Sequence, residues 1–204
     1  MLQRIAVEPG HRGPTVAITT KRVVSFRQHQ QPCALLIEAF AIAAEKRRDP
    51  RRRRREASGG TLEHAITLVH ILCNEAGITD DVTLAGSVLF DTISETQLTY
   101  GDLRRQFGPV LAEVVAELTE ESSAPLKDRP AIRLQAGGTY SHRARLIKLA
   151  SLVAAIRELA RDAQGDESMA ERAAFDALLA AVDALRGTHA TLECLFDEEY
   201  YRGE

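Results

Sequence analysis

The chain has 204 residues, of which 45% are hydrophobic, 27% charged and 5% aromatic, with no Trp and a formal net charge of −3. These proportions suit one compact domain carrying a tail and are too apolar for intrinsic disorder. The longest uncharged apolar run, around Leu149–Ile156, is far below the roughly 20 residues a bilayer span needs; the start, MLQRIAVEPGHRGP, lacks the apolar stretch of roughly 7–15 residues that a secretory signal requires. A transmembrane protein is excluded, and the cytoplasm is the expected compartment.

Residues 1–32 alternate weakly at Thr15, Val16, Ala17 and Ile18 and carry Pro, Gly and polar residues, so an N-terminal extension is expected there. Pro32 precedes a helix-like run over 34–46, where Leu36, Ala39, Phe40 and Ala43 recur at helical spacing. Its exit is the Asp49-Pro50 step, because a residue before proline is disfavoured in helical conformation. An arginine-rich loop over 47–60 follows and ends in Ser58-Gly59-Gly60. Thr61 to Ala76 reads as one bounded helix, with Glu63 in its first turn and Gly77 after its end. Thr79 or Asp80 can cap the next, Val82 to Ile93, whose nearly continuous apolar run implies deep burial. Thr99 and Asp102 resemble a capping box for a short helix ending near Gly108, and Pro109 opens another that reaches about Glu121. Ser122 to Tyr140 reads as loop. Ser141 caps a strong helix through Ala160, and further helices are expected at about 167–186 and 189–200, broken at Gly187.

No segment shows convincing alternation of period two, so the predicted fold is all-α: a 1–32 extension and a single orthogonal helical bundle over 33–204. Three cysteines, Cys33, Cys73 and Cys194, form no CxxC motif and are expected to be small buried apolar residues.

Charge is distributed unevenly. Positions 47–55 hold seven of the 26 basic residues against one aspartate, leaving 19 basic and 28 acidic side chains in the other 195 residues. The acidic body therefore carries one strongly cationic loop. The consecutive Arg51, Arg52, Arg53, Arg54 and Arg55 are either a solvated run or a site for an anionic partner, such as a nucleic acid, a nucleotide or an acidic protein face. No aromatic residue interleaves with them to make a stacking platform for single strands, and no amphipathic face adjoins them to hold a membrane.

The stretch 64–96, HAITLVHILCNEAGITDDVTLAGSVLFDTISET, with Arg104-Arg105-Gln106-Phe107-Gly108 and later LIKLA (146–150), resembles the hydrolase domain of RelA/SpoT alarmone enzymes, above all the small stand-alone SpoT-like hydrolases. The similarity extends from KRRDP (46–50) to LRGTHATLE (185–193) and covers roughly residues 34–200. The resemblance implies an HD-domain bundle in which two histidines and two aspartates hold a divalent ion, usually Mn²⁺. Such an ion lowers the pKa of its bound water and neutralises phosphate charge while the 3′-pyrophosphate of ppGpp is removed.

Carried over position by position, that ligand set is incomplete. The first histidine matches His64 and one aspartate matches Asp91, but the second histidine is Phe90 and the distant aspartate is Ser151. The family's Glu-Asp pair, which positions and deprotonates the attacking water, corresponds to Ser94 and Glu95. A pocket asparagine becomes Ala155, and a pocket tyrosine falls at Ala174, beside Phe175. Leu126 stands where a lysine is expected, with Lys127 one step away. A basic pair that meets the substrate is kept as Arg47 and Arg48. Manganese sits at the weak end of the divalent affinity order and needs its full ligand set. The expectation is therefore an HD-like protein without bound metal or catalysis, acting as a nucleotide- or partner-binding regulatory module. The alternative is a surviving phosphohydrolase for (p)ppGpp or a related nucleotide, built on His64, Asp91 and Glu95. His70 lies about 120° from His64 around its helix, so the two form no metal pair and His70 is expected at the surface. His142 is expected at a helix N-terminus.

Overall fold

The computed structural model describes residues 33–46, 62–95, 99–122, 140–162 and 169–202, with the side chains of Lys46, residues 91–95 and residues 120–122 excepted. The expected 1–32 extension, the 47–60 loop and most of the 122–140 loop lie outside the described residues. Among those described there are eight α-helices and no strand: α1 (Ala34–Lys46), α2 (Leu62–His70), α3 (Asp81–Glu95), α4 (Tyr100–Phe107), α5 (Pro109–Ser122), α6 (His142–Asp162), α7 (Met169–Asp183) and α8 (Ala190–Arg202). The all-α expectation holds. No described helix is long and apolar enough to cross a membrane.

Helix α3 is the axis of the bundle, packed by α1, α2, α5 and α6, while α4 lies on α5, and α7 and α8 lie on α6. Its residues from Thr83 to Phe90 are buried without interruption, as its apolar run predicts. The two polar side chains in that run are satisfied locally: Thr83 Oγ1 donates to Asp80 Oδ2 at 2.7 Å and Ser87 Oγ donates to the Leu84 carbonyl at 2.8 Å. Gly86 lets α3 approach its neighbours closely. A Cβ there would stand 3.0 Å from Ile147 Cδ1 on α6 and 3.4 Å from Val114 Cγ1 on α5.

The caps follow their sequence signals. Asp80 accepts the Thr83 N–H at 2.9 Å and so caps α3, and Arg143 of α6 holds the same carboxylate through contacts of 2.8 and 3.1 Å. Thr99 and Asp102 form the reciprocal capping box of α4. Ser141 Oγ accepts the Ala144 N–H at 3.3 Å at the start of α6, and its own N–H donates to Glu117 at 2.8 Å. Gly77 and Gly187 take positive φ of 69° and 80°, as residues that end helices.

Two expectations need correction. The helix beginning near Thr61 does not run uninterrupted to Ala76, because Ile71–Glu75 forms a π-turn in which the Ala76 N–H donates five residues back to the Ile71 carbonyl at 2.9 Å. The wide turn coincides with a tertiary contact, a two-pronged pair from Arg157 of α6 to Glu75 with both contacts at 2.8 Å. The cysteines are not buried: Cys33 and Cys194 are exposed and Cys73 is half-buried. Cys33 precedes α1, and Cys194 lies on the outer face of α8, 3.6 Å from Glu198 one turn on.

Close packing at Gly86 predicts that Gly86→Val destabilises the fold by about 1–3 kcal/mol in urea unfolding, since the added branch must displace the α5 and α6 side chains. Gly86→Ala is much milder, because the improved helix propensity offsets a small movement of the Ile147 terminus. A second prediction concerns acid. Arg143 first, and then Thr83, hold the Asp80 carboxyl well below the usual carboxylate range. Its folded pKa is thus below the unfolded one of about 3.9, so its contribution is complete above that pH and fades as pH falls through the folded value. Asp80→Ala is expected to lose about 1–2 kcal/mol at neutral pH. The gap from the parent protein should narrow between about pH 4 and 2, as followed by urea unfolding across pH.

Candidate functional site

His64 sits in the first turn of α2 and Phe90 about two-thirds of the way along α3. The packing of α2 on α3 brings their rings to a centroid separation of 6.5 Å at an interplanar angle of 58°. His64 is half-buried and Phe90 is 7% exposed. Phe90 is held from its other side through its backbone, where Thr119 Oγ1 of α5 lies 3.4 Å from its carbonyl and donates at 2.7 Å to the Val115 carbonyl. A hydrocarbon ring offers no lone pair to a cation, so Phe90 contributes packing to this corner and no ligand.

Ser151 lies half-buried on α6, and Ala155 lies half-buried one turn beyond it. Asp91, Ser94 and Glu95 belong to the last turns of α3, but their side chains fall outside the described residues. Arg47, Arg48, the run from Arg51 to Arg55, Leu126 and Lys127 also fall outside them. Among the described residues no three His, Cys, Asp or Glu side chains cluster closely enough to hold a metal ion. The set written in the sequence therefore includes one described imidazole at His64, a phenyl ring and a hydroxyl. A full two-histidine, two-aspartate cage does not fit these residues.

His70 projects from the end of α2 into solvent, with Nδ1 2.9 Å from the Asn74 amide and Nε2 3.9 Å from Glu75. His142 is the exposed first residue of α6. Both match their expected places. Ala174 and Phe175 lie half-buried on α7. Phe175 meets Tyr200 edge-on at 6.3 Å, and Tyr200 stacks on Phe196 at 6.2 Å, so the aromatic ring on α7 serves the packing of α7 on α8.

Two features are absent from the sequence reading. An ionic network joins the π-turn to the last helix: Arg157 grips Glu75, reaches Glu199 of α8 at 3.5 Å, and Glu199 also meets Arg202 at 3.0 Å. The Arg157 hydrogen bonds hold the Glu75 carboxyl below its ordinary range. The second feature is an open cleft of about 510 Å³ at the opposite end of α3 from Phe90, walled by Asp80, Glu113, Glu117, His142 and Arg143. Its charged walls come from three helices far apart in sequence. Only the pairing of Asp80 with Arg143, two residues within motif-like stretches, could have signalled it.

No family model matches the chain. Curated relatives do. The guanosine-3′,5′-bis(diphosphate) 3′-pyrophosphohydrolase MESH1 of Xenopus tropicalis is 30% identical over 168 residues, covering 82% of this chain and 93% of that protein. The human protein of the same description is 32% identical over 161 residues, 78% of this chain and 89% of its own length. The Drosophila melanogaster one is 32% identical over 168 residues, with shares of 82% and 93%. Among solved structures, a metazoan ortholog of SpoT that hydrolyses ppGpp superposes with a TM-score of 0.72 at 31% identity, covering 85% of this chain and 97% of the other. Likeness in sequence and in backbone, each spanning most of both proteins, places the chain in the MESH1 family of SpoT-like HD-domain proteins.

Proposed function

We propose that the chain is a member of this family that has given up metal binding and hydrolysis and works as a nucleotide- or partner-binding regulatory module in the cytoplasm. The observation that carries this reading is the buried ring of Phe90 against His64, at the position where the family resemblance calls for a metal-binding imidazole. Ser151 supports it, because a neutral hydroxyl replaces the carboxylate that would balance the charge of a dication. His64, Asp91 and Glu95 are then remnants that no longer act together.

The relatives are described as acting on guanosine-3′,5′-bis(diphosphate), and a guanine nucleotide is the ligand class that this ancestry favours. Arg47 and Arg48 are the side chains assigned to its phosphates, since guanidinium groups bind phosphate oxygens in two-pronged, charge-assisted contacts. Arg51 to Arg55 add five more guanidinium groups close by in sequence, which suits an acidic protein or a nucleic acid, whose binding would weaken steeply with salt.

Metal analysis of protein purified without chelator tests the first half of the reading. The expected outcome is manganese, zinc and iron all far below one per chain and no pyrophosphate release from ppGpp with added Mn²⁺. Phe90→His combined with Ser151→Asp is expected to raise Mn²⁺ affinity, read by calorimetry. Stoichiometric metal in the unaltered protein, with turnover of ppGpp, overturns the reading and establishes a hydrolase built on His64, Asp91 and Glu95. The second half is tested by titrating ppGpp and GDP. Joint Arg47→Ala and Arg48→Ala substitution should raise Kd at least about tenfold, equivalent to about 1.4 kcal/mol, and an unchanged Kd removes both arginines from the site.

A further inference from the structure

The open cleft at the start of α3 lies away from the corner formed by His64 and Phe90. Its volume of about 510 Å³ falls within the range of about 300–1,000 Å³ usual for small-ligand sites. Part of its lining is hydrocarbon: Val114 and Leu146 are buried, and Val110, in the first turn of α5, is 49% exposed. Glu113 and Glu117 line it from successive turns of the same helix.

The state of the polar groups decides which charge the cleft suits. Both helix starts that open on it have donors engaged within the chain. The Thr83 N–H donates to Asp80 at 2.9 Å, the Ala144 N–H to Ser141 at 3.3 Å and the Ser141 N–H to Glu117 at 2.8 Å. Arg143, the guanidinium of the lining, is committed to Asp80 by its contacts of 2.8 and 3.1 Å. An anion would therefore have to displace a carboxylate from each of these groups. The acids of α5 are less fully engaged. Glu113 is exposed, Glu117 is half-buried and uses one oxygen on Ser141, and among the described residues no cation pairs with either. They stand four residues apart, a spacing at which like charges on a helix repel by about 0.2–0.5 kcal/mol. A positive group between them removes that repulsion, and the neighbouring hydrocarbon favours an aliphatic stem behind it.

We infer that this cleft is a binding site for a small aliphatic amine. The ammonium group sits between Glu113 and Glu117, and the alkyl chain lies on Val110, Val114 and Leu146. Walls from α3, α5 and α6 close the cleft on several sides, which selects a small molecule over an extended peptide. The site shares no residue with the nucleotide and metal positions, so it stands or falls independently of the function proposed above.

Titration of the full chain with n-pentylamine, followed by amide chemical shifts in isotope-labelled protein, tests this. Saturable shifts are expected over Val110–Glu117 and Ser141–Leu146. The neutral isostere 1-pentanol should bind at least about tenfold more weakly, a difference of about 1.4 kcal/mol, and pentanoate should not bind. Glu113→Gln is compatible with folding, because the side chain is exposed and holds no other element, and the dispersion of the variant's spectrum verifies this. It should weaken pentylamine severalfold and leave pentanol unchanged. Absence of saturable shifts in the cleft, equal affinity for the amine and the alcohol, or an amine Kd that Glu113→Gln does not alter overturns the inference.

Discussion

Burial of α3 on nearly every side is the constraint to which the other helices answer. A helix buried without a break from Thr83 to Phe90 can be stable only when each neighbour supplies apolar cover and each polar group is satisfied locally. Thr83 and Ser87 meet the second condition through bonds within their own turn. Gly86 meets the first by letting α5 and α6 come close. At one end the same helix is fastened by Asp80 to Arg143 of α6, and at the other it presents Phe90 to His64. The corner formed by His64 and Phe90 is thus continuous with the core.

That continuity suits a phenyl ring at position 90. An imidazole facing a cation needs polar surroundings and an opposing charge, whereas a phenyl ring needs neither and adds to apolar burial. Ser151 of α6 is half-buried and uncharged, so it adds no buried charge beside that apolar packing.

Much of the fold was legible because its signals are local. The capping box at Thr99 and Asp102, the glycines that end helices at Gly77 and Gly187, and the apolar run of α3 each depend on residues within one or two turns. The π-turn at Ile71–Glu75 was not legible, because it is bound up with a contact to Arg157, more than eighty residues away. The exposure of Cys33 and Cys194 was misread for a related reason: residue type biases burial, but position on a helix face decides it. At the candidate site, the resemblance singled out His64, Phe90, Asp91 and Ser151 from the sequence alone, with a phenyl ring at 90 and a hydroxyl at 151. What the motifs could not convey is that the ring at position 90 is packed rather than turned away, which only the pairing of α2 with α3 determines.

The π-turn also sets an angular phase. Five residues in a wide turn rotate everything after it relative to an unbroken helix, and Glu75 stands at that offset. From there it pairs with Arg157 of α6, which also reaches Glu199 of the final helix. One irregular turn in the first third of the described chain thus serves as the anchor point for its last thirteen helical residues, so the closing helix and the turn that follows His64 are expected to loosen together.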